Sequence, residues 1–120
     1  MKNKPFPTRL GFAAAGIASA WHTEKSFRQQ CVATLAVIVF LLATKPPPVW
    51  WALLAMNCGL VLAAELINTA LEQTLDHLSP AIHPAVKIAK DCCAGAVLLL
   101  SLTSVCVFVA CVGEIWAGRA

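Results

Sequence analysis

The sequence predicts an all-α integral membrane protein, with an N-terminal amphipathic surface helix followed by three transmembrane helices. Three observations carry that prediction. Hydrophobic residues make up 59% of the 120-residue chain and charged residues only 12%, against about 25% charged in a soluble domain. A chain of this size buries too little surface to hide so much apolar material from water. The apolar residues also gather into three long runs, each near the roughly 20 residues a helix needs to cross a bilayer. The length suits one membrane-embedded domain, residues 1–120.

Residues 1–22 form a basic, mildly apolar arm. Leu10, Ala14, Ile17 and Trp21 recur at helical spacing, with Thr8, Arg9, Ser19 and His22 on the other side. This narrow stripe predicts a helix lying in the membrane interface. The arm has no compact apolar h-region with a cleavage site, so no signal peptide is expected there. The first span is placed at 26–44. At about 1.5 Å per residue it reaches roughly 28 Å, enough to cross with its flanks at the interfaces. Lys45-Pro46-Pro47-Pro48 stops it, because proline removes donors and clashes with the preceding turn. Trp50 and Trp51 follow as interface anchors.

The second span is placed at 49–71 and is apolar to Ala64, apart from Asn57. Glu65, Asn68, Thr69, Glu72 and Asp76 then appear without any helix breaker. The polar segment from Asp76 to Ala89, with Pro80 and Pro84, predicts a short surface helix or loop. The third span, 92–113, holds no charge and ends at Glu114, Trp116 and Arg119. Lysine and arginine concentrate in the arm and first flank (Lys2, Lys4, Arg9, Lys25, Arg28) and in the second loop (Lys87, Lys90). The positive-inside rule therefore puts the N-terminus and the second loop in the cytoplasm.

Nine Lys and Arg against six Asp and Glu leave +3, with no long basic run, so no nucleic-acid partner is expected. Cys31, Cys58, Cys92, Cys93, Cys106 and Cys111 all fall in or beside apolar runs and lack zinc-ligand spacing. They read as small apolar filler.

The chemistry lies on the second span. With Glu65 as zero and about 100° per residue, Asn68 falls near −60°, Thr69 near +40°, Glu72 near −20° and Asp76 near +20°. Three carboxylates on one stripe of a largely apolar helix do not suit hydrocarbon, so the stripe must face protein, a cation or a wet cleft. A polar seam that only holds helices together is the plain alternative. Glu72 lies about 10 Å along the axis from Glu65, toward the cytoplasm. Glu72 and Asp76 can meet a soluble, metal-bearing ligand, while Glu65 sits deeper, where a base could meet a lipid head.

Two further groups share that membrane face. Glu24, Arg28 and Gln29 begin the first span, with an ordinary i, i+4 ion pair as the plain reading of Glu24 and Arg28. His83, Lys87, Lys90 and Asp91 precede the third, where Lys90 can equally well snorkel to headgroups. Carboxylates, cations and a deep acid at one face suit phosphoryl transfer from MgATP to a lipid hydroxyl. Gly11 and Gly16 have P-loop spacing, but Ile17 and Ala18 follow where Lys and Ser or Thr are required. Protein-kinase signatures are absent from the sequence as well.

Three pieces resemble the prokaryotic diacylglycerol kinase family, which includes undecaprenol kinases. They are Glu24-Lys-Ser-Phe-Arg-Gln29, Glu65-Leu-Ile-Asn-Thr-Ala-Leu-Glu72 with Asp76, and His83-Pro with Ala89-Lys-Asp-Cys-Cys-Ala-Gly-Ala96. The resemblance implies a homotrimer of three-span subunits in the bacterial inner membrane, with active sites between subunits. It implies that Glu65 acts as base on the lipid hydroxyl and that Glu24 and Glu72 hold Mg²⁺ with ATP. It places Asn68, Asp76, His83, Lys90 and Asp91 at the ATP site, and Trp21, Arg28, Gln29 and Ala94 near the lipid. Many members carry Glu where this chain has Gln30, and no role is carried over to that position. The arm departs too, reading Phe12-Ala-Ala-Ala-Gly16-Ile17 where the family often has Tyr-Ser-x-x-Gly-Leu.

The reading is thus an ATP-dependent lipid kinase, with diacylglycerol as acceptor and undecaprenol as the alternative. Outside that class stand a proton-coupled carrier or channel subunit, with Glu65 as relay, and a non-catalytic scaffold.

Overall fold

The computed structural model describes residues 3–79 and 83–119. Lys2 of the arm and Pro80 of the polar segment lie outside the described residues. Four helices follow one another: α1 (Phe6–Thr23), α2 (Lys25–Thr44), α3 (Pro48–Leu78) and α4 (Pro84–Trp116). The last three are long and apolar enough to cross a membrane.

Proline marks each entry point except that of α2. Pro7, Pro48 and Pro84 sit in the first turns of α1, α3 and α4, where a missing N–H costs nothing. Lys45 ends α2 in the left-handed conformation, φ 47° and ψ 57°, and its N–H bonds to the Leu41 carbonyl at 2.8 Å. The three prolines after it forbid continuation.

The segment from Asp76 to Ala89 is not a separate surface helix or loop. Asp76 lies inside α3 and Lys87 to Ala89 lie inside α4. Nothing between Val49 and Leu78 breaks a helix, so α3 carries its polar stripe as continuous helix for seven residues past the end of the apolar span. At the other side His83 caps α4, its Nδ1 accepting the Ala85 N–H at 3.0 Å. The helix therefore starts eight residues before the charge-free stretch.

α3 and α4 run antiparallel and form the main packing pair. The pairing runs from Asp76 with Lys90, through Asn57 with Ser104, to Leu54 with Cys111. α2 packs on α3, and α1 packs on α2 and α3. The apolar core is small. Leu41, Leu54 and Cys111 cluster at the end away from the acids, beside Trp50, Trp51 and a tilted Phe40–Phe108 ring pair with centroids 4.8 Å apart. Large apolar residues elsewhere face outward: Val32, Leu35 and Val39 on α2, Leu60 and Ile67 on α3, Leu98, Leu102 and Val109 on α4. Such surfaces suit lipid or neighbouring chains, since no aqueous fold leaves so many exposed. On α1, Phe6, Leu10, Phe12, Ile17 and Trp21 are exposed and only Ala20 is buried.

Candidate functional site

The buried face of α3 is one continuous row: Leu54, Asn57, Val61 and Glu65, at helical steps of three or four. Glu65 is only 4% exposed. Continuing toward the hairpin, Asn68, Thr69 and Glu72 are half-buried and Asp76 is exposed. The stripe is thus graded from interior to surface. The Thr69 hydroxyl donates to the Glu65 carbonyl at 2.9 Å, which occupies its donor without touching the carboxylate. Among the described residues, Asn68 Oδ1 is the one buried side-chain polar atom with no hydrogen-bond partner.

Glu24 reaches this row because of the corner between α1 and α2. It is the last cap of one helix and the first of the next, in extended conformation at φ −117° and ψ 110°. Its N–H bonds to the Ala20 carbonyl at 2.8 Å, and its own carbonyl accepts the Arg28 N–H at 3.3 Å. Its side chain caps neither helix. The carboxylate is left for other partners, and the charges of Glu24 and Glu72 both reach Glu65. Three acids from two separate parts of the chain therefore share one electrostatic neighbourhood.

The cations are placed differently from a simple i, i+4 scheme. Arg28 does not pair with Glu24; its Nη1 donates to the Trp21 carbonyl at 2.6 Å. Lys90 Nζ donates to Asp76 Oδ1 at 2.5 Å across the α3–α4 hairpin, and the Glu72 charge also reaches Lys90. Lys87 Nζ donates to Asp91 Oδ2 at 2.6 Å, so Lys87–Asp91 and Lys90–Asp76 each satisfy a site acid within the chain. Gln29 is exposed beside Lys25, Arg28 and Val32 in a shallow surface hollow. Trp21 is exposed in the last turn of α1, and Ala94 is exposed on α4. Lys90 is thus paired with Asp76 across the hairpin, while the charges of Glu24 and Glu72 act on Glu65 through space. His83 is spent on capping, and Trp21 joins Arg28 through its backbone.

Two polar bridges were not assigned from the sequence. Gln30 Nε2 lies 3.4 Å from Ser101 Oγ, linking α2 to α4, and Ser104 Oγ lies 3.4 Å from Asn57 Oδ1, linking α4 to α3. Between these three helices is a cavity of about 360 Å³ lined by Gln30, Thr34, Cys58, Val61, Ser101 and Ser104 among others. Val61 is one turn from Glu65. The clue in the sequence was Asn57, a lone amide in an apolar run and on the same side as Glu65; the hydroxyls opposite it carried no periodic signal.

Comparison with known proteins decides what this arrangement belongs to. The family profile described as prokaryotic diacylglycerol kinase matches residues 11–112. The chain belongs to the prokaryotic diacylglycerol kinase family. That match takes in the α1–α2 corner, the whole acidic face of α3 and nearly all of α4. Among its relatives, a diacylglycerol kinase of Synechocystis sp. is 39% identical over 97 residues, covering 80% of this chain and 55% of that protein. The chain therefore spans about half the length of this relative. An undecaprenol kinase of Bacillus subtilis is 33% identical over 92 residues, 77% of this chain and 75% of that one. A diacylglycerol kinase of Escherichia coli is 30% identical over 95 residues, 79% and 78% respectively. Each of these three relatives is named as a kinase of a lipid alcohol.

The donors present fit a hard divalent cation. Mg²⁺ takes oxygen ligands, ordinarily one or two protein carboxylates completed by substrate phosphates and water. Glu24 and Glu72 supply such carboxylates, and Asn68, with its unpartnered oxygen, lies one helical turn before Glu72 on α3. Among the described residues no three His, Cys, Asp or Glu side chains form a self-contained cage.

Proposed function

We propose that this protein phosphorylates diacylglycerol with MgATP, giving phosphatidic acid, at the cytoplasmic face of the inner membrane. The observation that carries the reading is Glu65. It is a buried acid on a membrane-length helix, it feels the charges of two further acids, and it lies one helical turn from Val61 in the wall of a 360 Å³ cavity. A lipid entering sideways between α2 and α4 brings its hydroxyl toward Glu65, while ATP approaches from water at the hairpin end.

Glu65 accepts the hydroxyl proton as the lipid oxygen attacks the γ-phosphorus and ADP leaves. Glu24 and Glu72 would hold Mg²⁺, which would neutralise charge on the phosphate oxygens. Lys90 exchanges its Asp76 partner for a phosphate oxygen. Asn68, Asp76, His83 and Asp91 border the nucleotide, Trp21, Gln29 and Ala94 border the lipid, and Arg28 stands between the two groups at the α1–α2 corner. The chain is one kinase domain with 1–22 at the membrane surface, the N-terminus cytoplasmic, and crossings at 26–44, 49–71 and 92–113. The subunit assembles as a homotrimer whose sites lie between subunits, its outward apolar faces meeting lipid and neighbouring subunits.

Undecaprenol is the second acceptor, favoured by the Bacillus subtilis relative of that activity. Its reaction is the same, and the apolar cleft walls grip either tail. The test is incubation of the purified protein with labelled ATP, Mg²⁺ and either dioleoylglycerol or undecaprenol, followed by separation of the lipids. Labelled phosphatidic acid is expected. Label in undecaprenyl phosphate alone selects the second acceptor, and no labelled lipid refutes both.

A further inference from the structure

We propose that Arg28 is a positioning residue for Glu24, acting on the metal side of the reaction rather than on the lipid. The inference rests on the assignment of Glu24 to Mg²⁺ given above. Where α1 ends, its last carbonyls lose their helical partners because the chain turns out at Glu24. The Ala20 carbonyl is satisfied by the Glu24 N–H, but the next one, on Trp21, has no residue in helical register to serve it. Arg28 takes that place with a 2.6 Å charge-assisted bond. A cation at a helix C-terminus is also favoured by the helix dipole.

The Arg28 N–H makes the ordinary first backbone bond of α2, to the Glu24 carbonyl, so the side chain that reaches back to Trp21 starts from the first turn of α2. One side chain therefore staples the end of α1 to the first turn of α2, with Glu24 as the single extended residue between them. Glu24 has no side-chain cap of its own to fix the corner. Without the staple the corner can open, and the carboxylate moves away from Glu65 and Glu72. With the guanidinium committed to a backbone carbonyl, its free share for an anionic lipid group is reduced.

The test compares the parent, Arg28→Ala, Arg28→Lys and Glu24→Gln, all reconstituted in phosphatidylcholine nanodiscs. Mn²⁺ binding is measured by electron paramagnetic resonance with a non-hydrolysable ATP analogue, alongside KM for dioleoylglycerol and amide exchange at residues 20–28. Arg28→Ala should bind Mn²⁺ about tenfold more weakly, the scale of one lost charge-assisted bond. Its amide exchange at Glu24 should quicken, its KM for dioleoylglycerol should stay within about twofold of the parent, and Arg28→Lys should recover most of the Mn²⁺ binding. Parent-like Mn²⁺ binding by Arg28→Ala, with a raised KM for dioleoylglycerol, overturns the positioning role and makes Arg28 a lipid contact. Parent-like binding by Glu24→Gln overturns the metal assignment itself and the positioning role with it. Weak binding by Glu24→Gln with normal binding by Arg28→Ala overturns the positioning role alone.

Discussion

Replacing Glu65 by glutamine separates chemistry from architecture. The amide has the same shape, and the site is 4% exposed, so the packing around it is retained. What disappears is a buried charge that already faces two other acids, Glu24 and Glu72. Insertion scales put an acid at the bilayer centre at about 2.5–3.5 kcal/mol, falling toward the interface. Glu65→Gln should therefore stabilise the protein by about 1–1.5 kcal/mol, no more than about half of that central figure. Activity should move the opposite way, since losing a general base costs about 10²–10⁴ in rate. Two measurements check the pair of effects: unfolding by increasing SDS fraction in mixed micelles, and kcat with dioleoylglycerol at saturating MgATP. A variant that is more stable and nearly inactive fits the reasoning. A variant that turns over at the parent rate refutes the base assignment, and one that is markedly less stable refutes the account of Glu65 as a charge held at a cost.

Four further outcomes are expected. Glu72→Ala should raise the Mg²⁺ concentration for half-maximal rate by at least about tenfold, the low end for disturbing a metal site, with the KM for dioleoylglycerol unmoved; a Mg²⁺ titration of initial rates checks it. Lys90→Ala should raise the KM for ATP about tenfold through one lost charge-assisted bond. Its SDS-unfolding midpoint should barely shift, because the Lys90–Asp76 pair is exposed and such pairs contribute under about 1 kcal/mol. A double-mutant cycle on Asn57→Ala and Ser104→Ala should give a coupling near the membrane average of about 0.6 kcal/mol, given the long 3.4 Å contact; zero coupling removes that bridge from the fold. Lys45→Gly should stabilise by about 1 kcal/mol, because Lys45 holds a left-handed conformation that glycine adopts freely; a lower SDS midpoint counts against that strain.

The places where the sequence was hardest to read follow one rule. Hydrophobic run length located the three membrane-length helices, but it could not find the ends of α3 and α4. Helix continuation depends on the absence of breakers and on caps such as His83, and these leave no trace in an apolar count. The wheel from Glu65 to Asp76 put the acids on one side of α3, and the buried row Leu54, Asn57, Val61 and Glu65 lies on that side. The spacing of Glu24 and Arg28 was legible as a possible ion pair, yet the guanidinium lies on the Trp21 carbonyl instead. An i, i+4 relation states which side chains can meet within one helix; it says nothing when the preceding helix offers a stronger, unpartnered acceptor.

Composition alone required a membrane, because 12% charge over 120 residues leaves no polar surface to face water. The 3.6-residue period alone required that the acids share a stripe, since that geometry is local to one helix. Which acids from different helices become neighbours is another matter. The extended corner at Glu24, the Asp76–Lys90 tie across the hairpin and the Gln30–Ser101 bridge depend on how rigid helices rotate and cross. Those angles are set by side chains far apart in the chain meeting at once, so only the folded molecule decides them.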